Sequence, residues 1–216
     1  LDGKSARGGQ ILIGKSFVKA NEEIRKLNEK LGIDSRTVDY INKQYAATVG
    51  CFGFVGDGKF YFGQINDCGI ASFDPQGKRE IDAVLNQTPL LKHLEKMEGE
   101  GRFEAGSKEE HIYVRSRIVN DSQATHDGEH IDFGVMTGEA RAKNFLHMGA
   151  INLYREQTIV LYSDGFIPFV RDPEFVELLT REPEKKIVLN FTKASEAVGE
   201  EFRKEKSLIV IRIKGS

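Results

Sequence analysis

Cysteine, long apolar runs and a surplus of either charge are what this chain lacks. Only two cysteines, Cys51 and Cys68, occur in 216 residues. That is too few for a disulfide framework and fits a reducing compartment, so a cytoplasmic protein is expected. Thirty-one lysines and arginines stand against 33 acidic residues, a net charge of −2. No basic surplus invites nucleic acid, and no apolar run is long enough to suggest a membrane partner. No secretory-signal pattern is present, although with Leu1 rather than Met at position 1 this decides little about targeting. Internal repeats and low-complexity segments are also missing. What remains is 39% hydrophobic and 30% charged, with a length that suits a single domain over 1–216 and a substantial core.

Hydrophobic periodicity places the elements. Phe17, Ala20, Ile24, Leu27 and Leu31 recur at three and four, predicting a helix over 16–31 closed by Gly32 as a C′ glycine. Residues 1–9, rich in glycine and small side chains, read as a loop, and a shorter helix is expected over 38–45. Residues 48–55 and 59–65 read as strands around the hairpin turn Gly56-Asp57-Gly58. A third strand over 70–73 runs into the turn Asp74-Pro75-Gln76-Gly77. A helix is expected over 90–97, a surface loop over 98–110, a strand over 112–119 and a polar loop over 120–130. Residues 133–139 then lead into a short helix through Phe145 and Leu146. Further on, Asp172 or Pro173 opens a helix through Leu179, another covers 187–199, and 207–213 forms a closing strand. Helices bracket a β-rich middle, so the class is α/β of the α+β type with mostly antiparallel strands.

The stretch Ile159-Val160-Leu161-Tyr162-Ser163-Asp164-Gly165-Phe166 organises the rest. A buried strand stops on Ser-Asp-Gly, which is turn chemistry, and leaves a carboxylate where burial ends. A turn capped by an aspartate is the plain reading of such a pattern. Asp67 has a similar place at the end of the strand over 59–65, and Asp2, like Asp164, is followed by Gly. Carboxylates of this kind suit a hard divalent ion, which takes oxygen ligands and retains water.

Competing patterns have weaker support. Gly9-Gln10-Ile11-Leu12-Ile13-Gly14-Lys15-Ser16 satisfies the spacing of a phosphate-binding P-loop, with Lys15 as its lysine and a helix after it. The preceding residues are polar and glycine-rich where a buried strand is required, and three large apolar residues do not suit a loop of exposed amides. His126 and His130 have the spacing of helical metal ligands, but Asp127-Gly128 between them breaks a helix.

The order of these motifs resembles the metal-dependent protein phosphatase family, the type 2C serine/threonine phosphatases, in particular their compact bacterial members. Asp2-Gly3 followed by Gly8-Gly9 is similar to the family's Asp-Gly-His-Gly-Gly element. Gln64-Ile65-Asn66-Asp67-Cys68-Gly69 is similar to the strand that ends in Gly-Asp-Ser or Gly-Asp-Cys, and 133–139 to the bacterial Tyr-Gly-Val-Leu-Thr-Gly-Glu segment. Leu161-Tyr162-Ser163-Asp164-Gly165 matches the Ser-Asp-Gly element, and 204–213 resembles the closing strand that begins Asp-Asn or Asp-Asp.

The resemblance implies a four-layer α-β-β-α sandwich, two facing antiparallel sheets flanked by helices, with a metal site at one end. It implies a serine/threonine phosphoprotein phosphatase that hydrolyses phosphomonoesters with a metal-activated water and no phosphoenzyme. Two manganese or magnesium ions, or three, are the implied cofactors. Asp2 and Asp164 are the implied catalytic ligands: Asp2 bridges the ions, and Asp164 binds one of them. Gly3 adds its carbonyl, and Asp67 helps Asp164 hold the third ion. A phosphoserine or phosphothreonine protein is the implied partner, with neither nucleic acid nor membrane involved.

The chain departs from the pattern in several places. The family's upstream acidic pair and phosphate-binding Arg would precede Leu1, so the domain is expected to lack its N-terminal strand and acidic motif. Lys4 stands where many members carry a His, and Asn66 replaces a Gly, a swap that the tolerance of Asn for turn angles allows. Lys204 stands where the last metal-binding Asp belongs, and Glu205 is the carboxylate expected to reach the ion by a one-residue shift. Without that shift, the implied protein is a catalytically impaired relative that binds a phosphoprotein or other partner.

Overall fold

The computed structural model describes residues 3–34, 45–84, 87–181, 185–196 and 206–214. In chain order the elements are α1 (Gly3–Lys30), β1 (Gly50–Gly56), β2 (Lys59–Ile65), β3 (Gly69–Phe73), β4 (Arg79–Ala83), α2 (Thr88–Gly99) and α3 (Lys108–Arg117). There follow β5 (Thr125–His126), β6 (Glu129–His130), β7 (His147–Asn152), β8 (Thr158–Tyr162), α4 (Pro173–Arg181), α5 (Lys185–Glu196) and β9 (Leu208–Arg212). The described residues gather into two compact units, one drawn from Leu1–Gln10, Gly50–Leu85 and Gly149–Ser216, the other from Ile11–Val49 and Asn86–Met148.

The first unit holds two sheets, one in the order β1-β2-β7 and one in the order β4-β3-β8-β9. The β1–β2, β3–β4, β3–β8 and β8–β9 pairs are all antiparallel. Side chains alternate between faces along a strand, and the core follows that rule. Phe60 and Phe62 of β2 and Ile151 of β7 meet Ile70 of β3 and Ile159 and Leu161 of β8, closing one sheet on the other. The intervening residues Ala71, Phe73, Val160 and Tyr162 face away, onto Phe175, Val176 and Leu179 of α4 and Val188 and Phe191 of α5. Tyr61, between Phe60 and Phe62, points outward from the first sheet and stacks on Phe54 with ring centroids 5.2 Å apart. There α1 lies so close that a Cβ on Gly9 would fall 2.3 Å from the Tyr61 ring. The layers therefore run helix, sheet, sheet, helix, as the resemblance implies. Burial of β3 and β8 on both faces is why 159–162 is an unbroken apolar run.

In the second unit, Leu90 of α2, Ile118 and Ile131 form a small core with Leu94, Tyr113, Val114 and Phe133 packed on it. Here α1 ends in a Schellman motif. Gly32 has φ 73°, its amide donates to Glu29 O at 3.0 Å, and the Ile33 amide donates to Asn28 O at 2.9 Å.

Several expectations are corrected. Residues 3–9 are helical, continuous with the helix expected over 16–31. The glycines that read as a loop include Gly9, which the close approach to Tyr61 requires. The buried face of α1 carries Ile13, Phe17, Asn21 and Asn28, whereas Leu27 and Leu31 are exposed. Its inward asparagines are hydrogen-bonded, so the apolar period alone misplaces that face. The P-loop pattern lies wholly inside α1, where the backbone amides of 9–16 belong to helix turns rather than to a phosphate cradle.

The strand expected over 112–119 is instead α3. Ser107 caps it by accepting from the Glu110 amide at 3.2 Å. Glu109 and Glu110 in the first turn and Arg115 and Arg117 in the last suit the helix dipole, outweighing the β-prone Ile112-Tyr113-Val114. The polar loop over 120–130 contains the β5–β6 hairpin, turned at Asp127-Gly128 with φ of 51° and 81°. Strands β4 and β7 were not expected at all. The helix expected over 38–45 falls almost wholly outside the described residues.

Candidate metal site at the ends of two paired strands

The antiparallel register of β3 and β8 pairs Gly69 with Tyr162. Asp67 lies two residues before Gly69 and Asp164 two residues after Tyr162, so both aspartates sit just beyond the same end of the paired strands, each close enough to act on Cys68. Each is placed by turn chemistry. Asn66, at φ 65°, turns the chain out of β2, the left-handed conformation that a Gly would otherwise supply. Asp164 opens a 3₁₀ turn over Asp164–Phe166, in which the Ile167 amide donates to the Asp164 carbonyl at 2.9 Å. Ser163 ties this turn to the start of β9: its amide donates to Ser207 O at 3.0 Å, and its Oγ accepts from the Ser207 amide at 2.9 Å. Both carboxylates are half-buried.

The pair has a thiol for a neighbour. Cys68 is buried and hydrogen-bonded to Cys51, whose Sγ lies 4.0 Å from the Tyr162 carbonyl oxygen. The hydrogen bond with Cys51 pushes the Cys68 thiol well above the usual thiol range, and burial and the negative Asp67 and Asp164 act in the same direction. The thiol therefore stays protonated and leaves the aspartates as the hard oxygen donors. Tyr162, beneath them, donates from its hydroxyl to Asp82 Oδ1 at 3.0 Å, and burial and the Asp82 charge raise its pKa. Gly69 must remain small, because a Cβ there would fall 2.2 Å from Tyr162 Cζ.

Gly3 is placed at the start of α1. Asp2, Lys204 and Glu205 lie outside the described residues. Among the described residues, no group of three or more His, Cys, Asp or Glu is arranged to hold a metal ion. The donor chemistry of the described pair, two half-buried carboxylates beside a neutral thiol, fits a magnesium- or manganese-type ion that takes oxygen ligands and water. His126 and His130 sit on the β5–β6 hairpin, with His130 pairing with Thr125 rather than with His126.

A bacterial serine phosphatase is similar in structure, with a TM-score of 0.51 at 15% identity over 96% of this chain and 70% of that one. The Mycobacterium tuberculosis serine/threonine phosphatase PstP/Ppp is similar too, with a TM-score of 0.50 at 14% identity over 91% of this chain and 68% of that one. This chain has the type 2C phosphatase fold. No family model matches the sequence, and comparison with curated proteins finds no match. The type 2C fold accounts for the two facing sheets of the first unit and for helices on both of their outer faces.

The second unit contains polar groups that the periodic pattern did not reveal. Asn21 Nδ2 donates to Glu139 O, and the Gly138 amide donates to Asn21 Oδ1, both at 2.9 Å. Asn28 Nδ2 donates to Thr137 O at 2.8 Å and to Ala46 O at 2.9 Å. Asn120 clasps Val135 from both sides, accepting from its amide and donating to its carbonyl at 2.9 Å. The buried Glu139 carboxylate accepts from Thr137 Oγ1 at 2.8 Å, Asn120 Nδ2 at 3.2 Å and Arg141 Nε at 3.0 Å. Three asparagines thus fix the segment 133–139 that the family resemblance singled out. The signal available in sequence was polar residues on an otherwise apolar helical stripe, which marks buried hydrogen bonding as readily as a surface.

Proposed function

We propose that the chain is a metal-dependent serine/threonine phosphoprotein phosphatase. The observation that carries the reading is the juxtaposition of Asp67 and Asp164, from distant parts of the chain, by the β3–β8 register. In this reading Asp164 and Asp67 hold divalent ions at the strand ends, and Asp2, the Gly3 carbonyl and Glu205 complete the donor set. Manganese or magnesium, when bound, activates water and polarises the phosphoryl group. The chain's own part is to hold the carboxylates at the same end of the paired strands, and to keep the neighbouring Cys68 thiol neutral. The free cysteines suit a reducing, cytoplasmic setting. No helix among the described residues is long and apolar enough to cross a membrane.

The test is hydrolysis of an aryl phosphate with manganese, titrated against a chelator. Chelator-sensitive turnover is expected, and Asp164→Asn should remove it while circular dichroism remains that of the wild type. Wild-type rates in Asp164→Asn would refute the assignment. A second reading, a phosphoprotein- or partner-binding relative without catalysis, is favoured by Lys204 at the position of an expected ligand. Folded protein with no turnover at any manganese concentration would select it.

A further inference from the structure

At the end of the four-stranded sheet away from the aspartates, the first unit carries two adjoining cavities. One, of about 600 Å³, is lined by Phe73, Arg79, Arg171, Glu177, Thr180 and Arg181. The other, of about 400 Å³, shares Thr180 and is lined by Arg155, Glu156, Arg212 and Lys214. Six cationic side chains and two carboxylates thus face these cavities, on a protein whose net charge is −2. Some of that charge is already engaged. Arg79 pairs with Asp82 at 2.7 Å and donates to Val170 O, Arg181 pairs with Glu177, and Arg155 lies 3.5 Å from Glu156. Arg171, Arg212 and Lys214 have no carboxylate partner among the described residues. Arg171 lies in the turn before α4 and lines the larger cavity, whereas Arg212 and Lys214 lie at the end of β9 and line the smaller, with Thr180 common to both. The strand from Gly69 to Phe73 separates the cavities from the aspartate end by about 13 Å, at ~3.3 Å per residue.

We propose that these cavities form a binding site for a phosphate-bearing anion with more than one charge. Guanidinium groups match phosphate oxygens through paired N–H donors, and cavities of this size suit a small ligand or a short segment of one. The phosphate could belong to a free compound or to a phosphorylated protein segment, and the chemistry at the arginines is the same. The site needs no metal and does not depend on hydrolysis at Asp67 and Asp164.

Calorimetric titration of the full chain, stripped of metal by chelation and dialysis, tests the proposal. Inorganic pyrophosphate probes for a free compound, and a peptide with two phosphoserines for a protein segment. At least one probe should bind with 1:1 stoichiometry, and the tighter of the two identifies the source. Arg171→Glu with Arg212→Glu should weaken that binding tenfold or more, whereas Asp164→Asn should leave it unchanged. Lys92→Glu with Lys143→Glu, an equal charge change at exposed positions elsewhere, should also leave it unchanged. Should the charge-reversed pair misfold by circular dichroism, Arg171→Gln with Arg212→Gln replaces it. Absence of saturable binding by either probe, or equal weakening by the control pair, overturns the proposal.

Discussion

Asn120 shows how much a single side chain can hold. It is 1% exposed, sits at φ 54°, and its amide group serves both the Val135 backbone and the Glu139 carboxylate. Asn120→Ala strands those partners and forces a β-carbon residue other than Asn into the left-handed region, so a loss of about 2–3 kcal/mol is expected from urea unfolding. Asn120→Gly should recover only the backbone part. His93 behaves differently, because its cost depends on pH. It is 6% exposed, bonded through Nε2 to the Tyr113 hydroxyl at 2.7 Å, and its Nδ1 has no hydrogen-bond partner. Burial lowers its pKa below the ordinary 6.5, and the nearby His126 and Lys96 add to that, while Asp127 and Glu100 oppose it. The unfolded chain therefore binds the proton first. Stability is full above about pH 6.5 and is lost as the pH falls through the window between the unfolded and folded values. His93→Phe should flatten that dependence in unfolding curves taken between pH 7.5 and 5.

At the scale of an element, α1 contains two glycines with opposite expectations. A Cβ on Gly14 meets nothing within 4 Å, so Gly14→Ala should stabilise by about 0.5–1 kcal/mol through helix propensity. A Cβ on Gly9 would strike the Tyr61 ring, and Gly9→Ala should destabilise by about 1–3 kcal/mol. Thermal unfolding of the two variants, compared side by side, checks the sign. Elements with both faces buried were legible from sequence, because β8 reads as a continuous apolar run and β3 as a short run of small and apolar residues, each ended by turn residues. Edge strands were not. In β4 the exposed Glu80 and Asp82 alternate with half-buried residues, and β7 begins with exposed His147 and Met148, so neither carries the density that marks an interior strand. The helix α3 is hidden in the sequence for a different reason. Its apolar residues are β-prone, and the information that makes it helical resides in the Ser107 cap and the ordering of its charges.

At the scale of the molecule, a bound ion should be visible as stability as well as turnover. Manganese at a hundred times its dissociation constant stabilises a native state by about 2.7 kcal/mol, which for a chain of this length raises the midpoint by about 5–10 °C. That rise should vanish in Asp164→Asn, and its absence in the wild type would count against the metal site whatever the assay conditions. The aspartates themselves were legible because each ends a strand on turn chemistry. That they share one end of a strand pair was not, since the fact belongs to a pairing register and not to either segment.

The same register has a consequence for how much the chain can change in length. Strands β3 and β8 are joined in space while residues 86–148 stand between them in sequence, most of the second unit among them. The entropy of closing such a long excursion grows only logarithmically, by about 0.6 kcal/mol for each doubling. Insertions in the exposed loops between β4 and β7 would therefore scarcely alter the free energy of bringing these two strands together. An added residue between Gly69 and Phe73, or between Thr158 and Tyr162, would slip one strand against the other and turn every side chain beyond it to the opposite face.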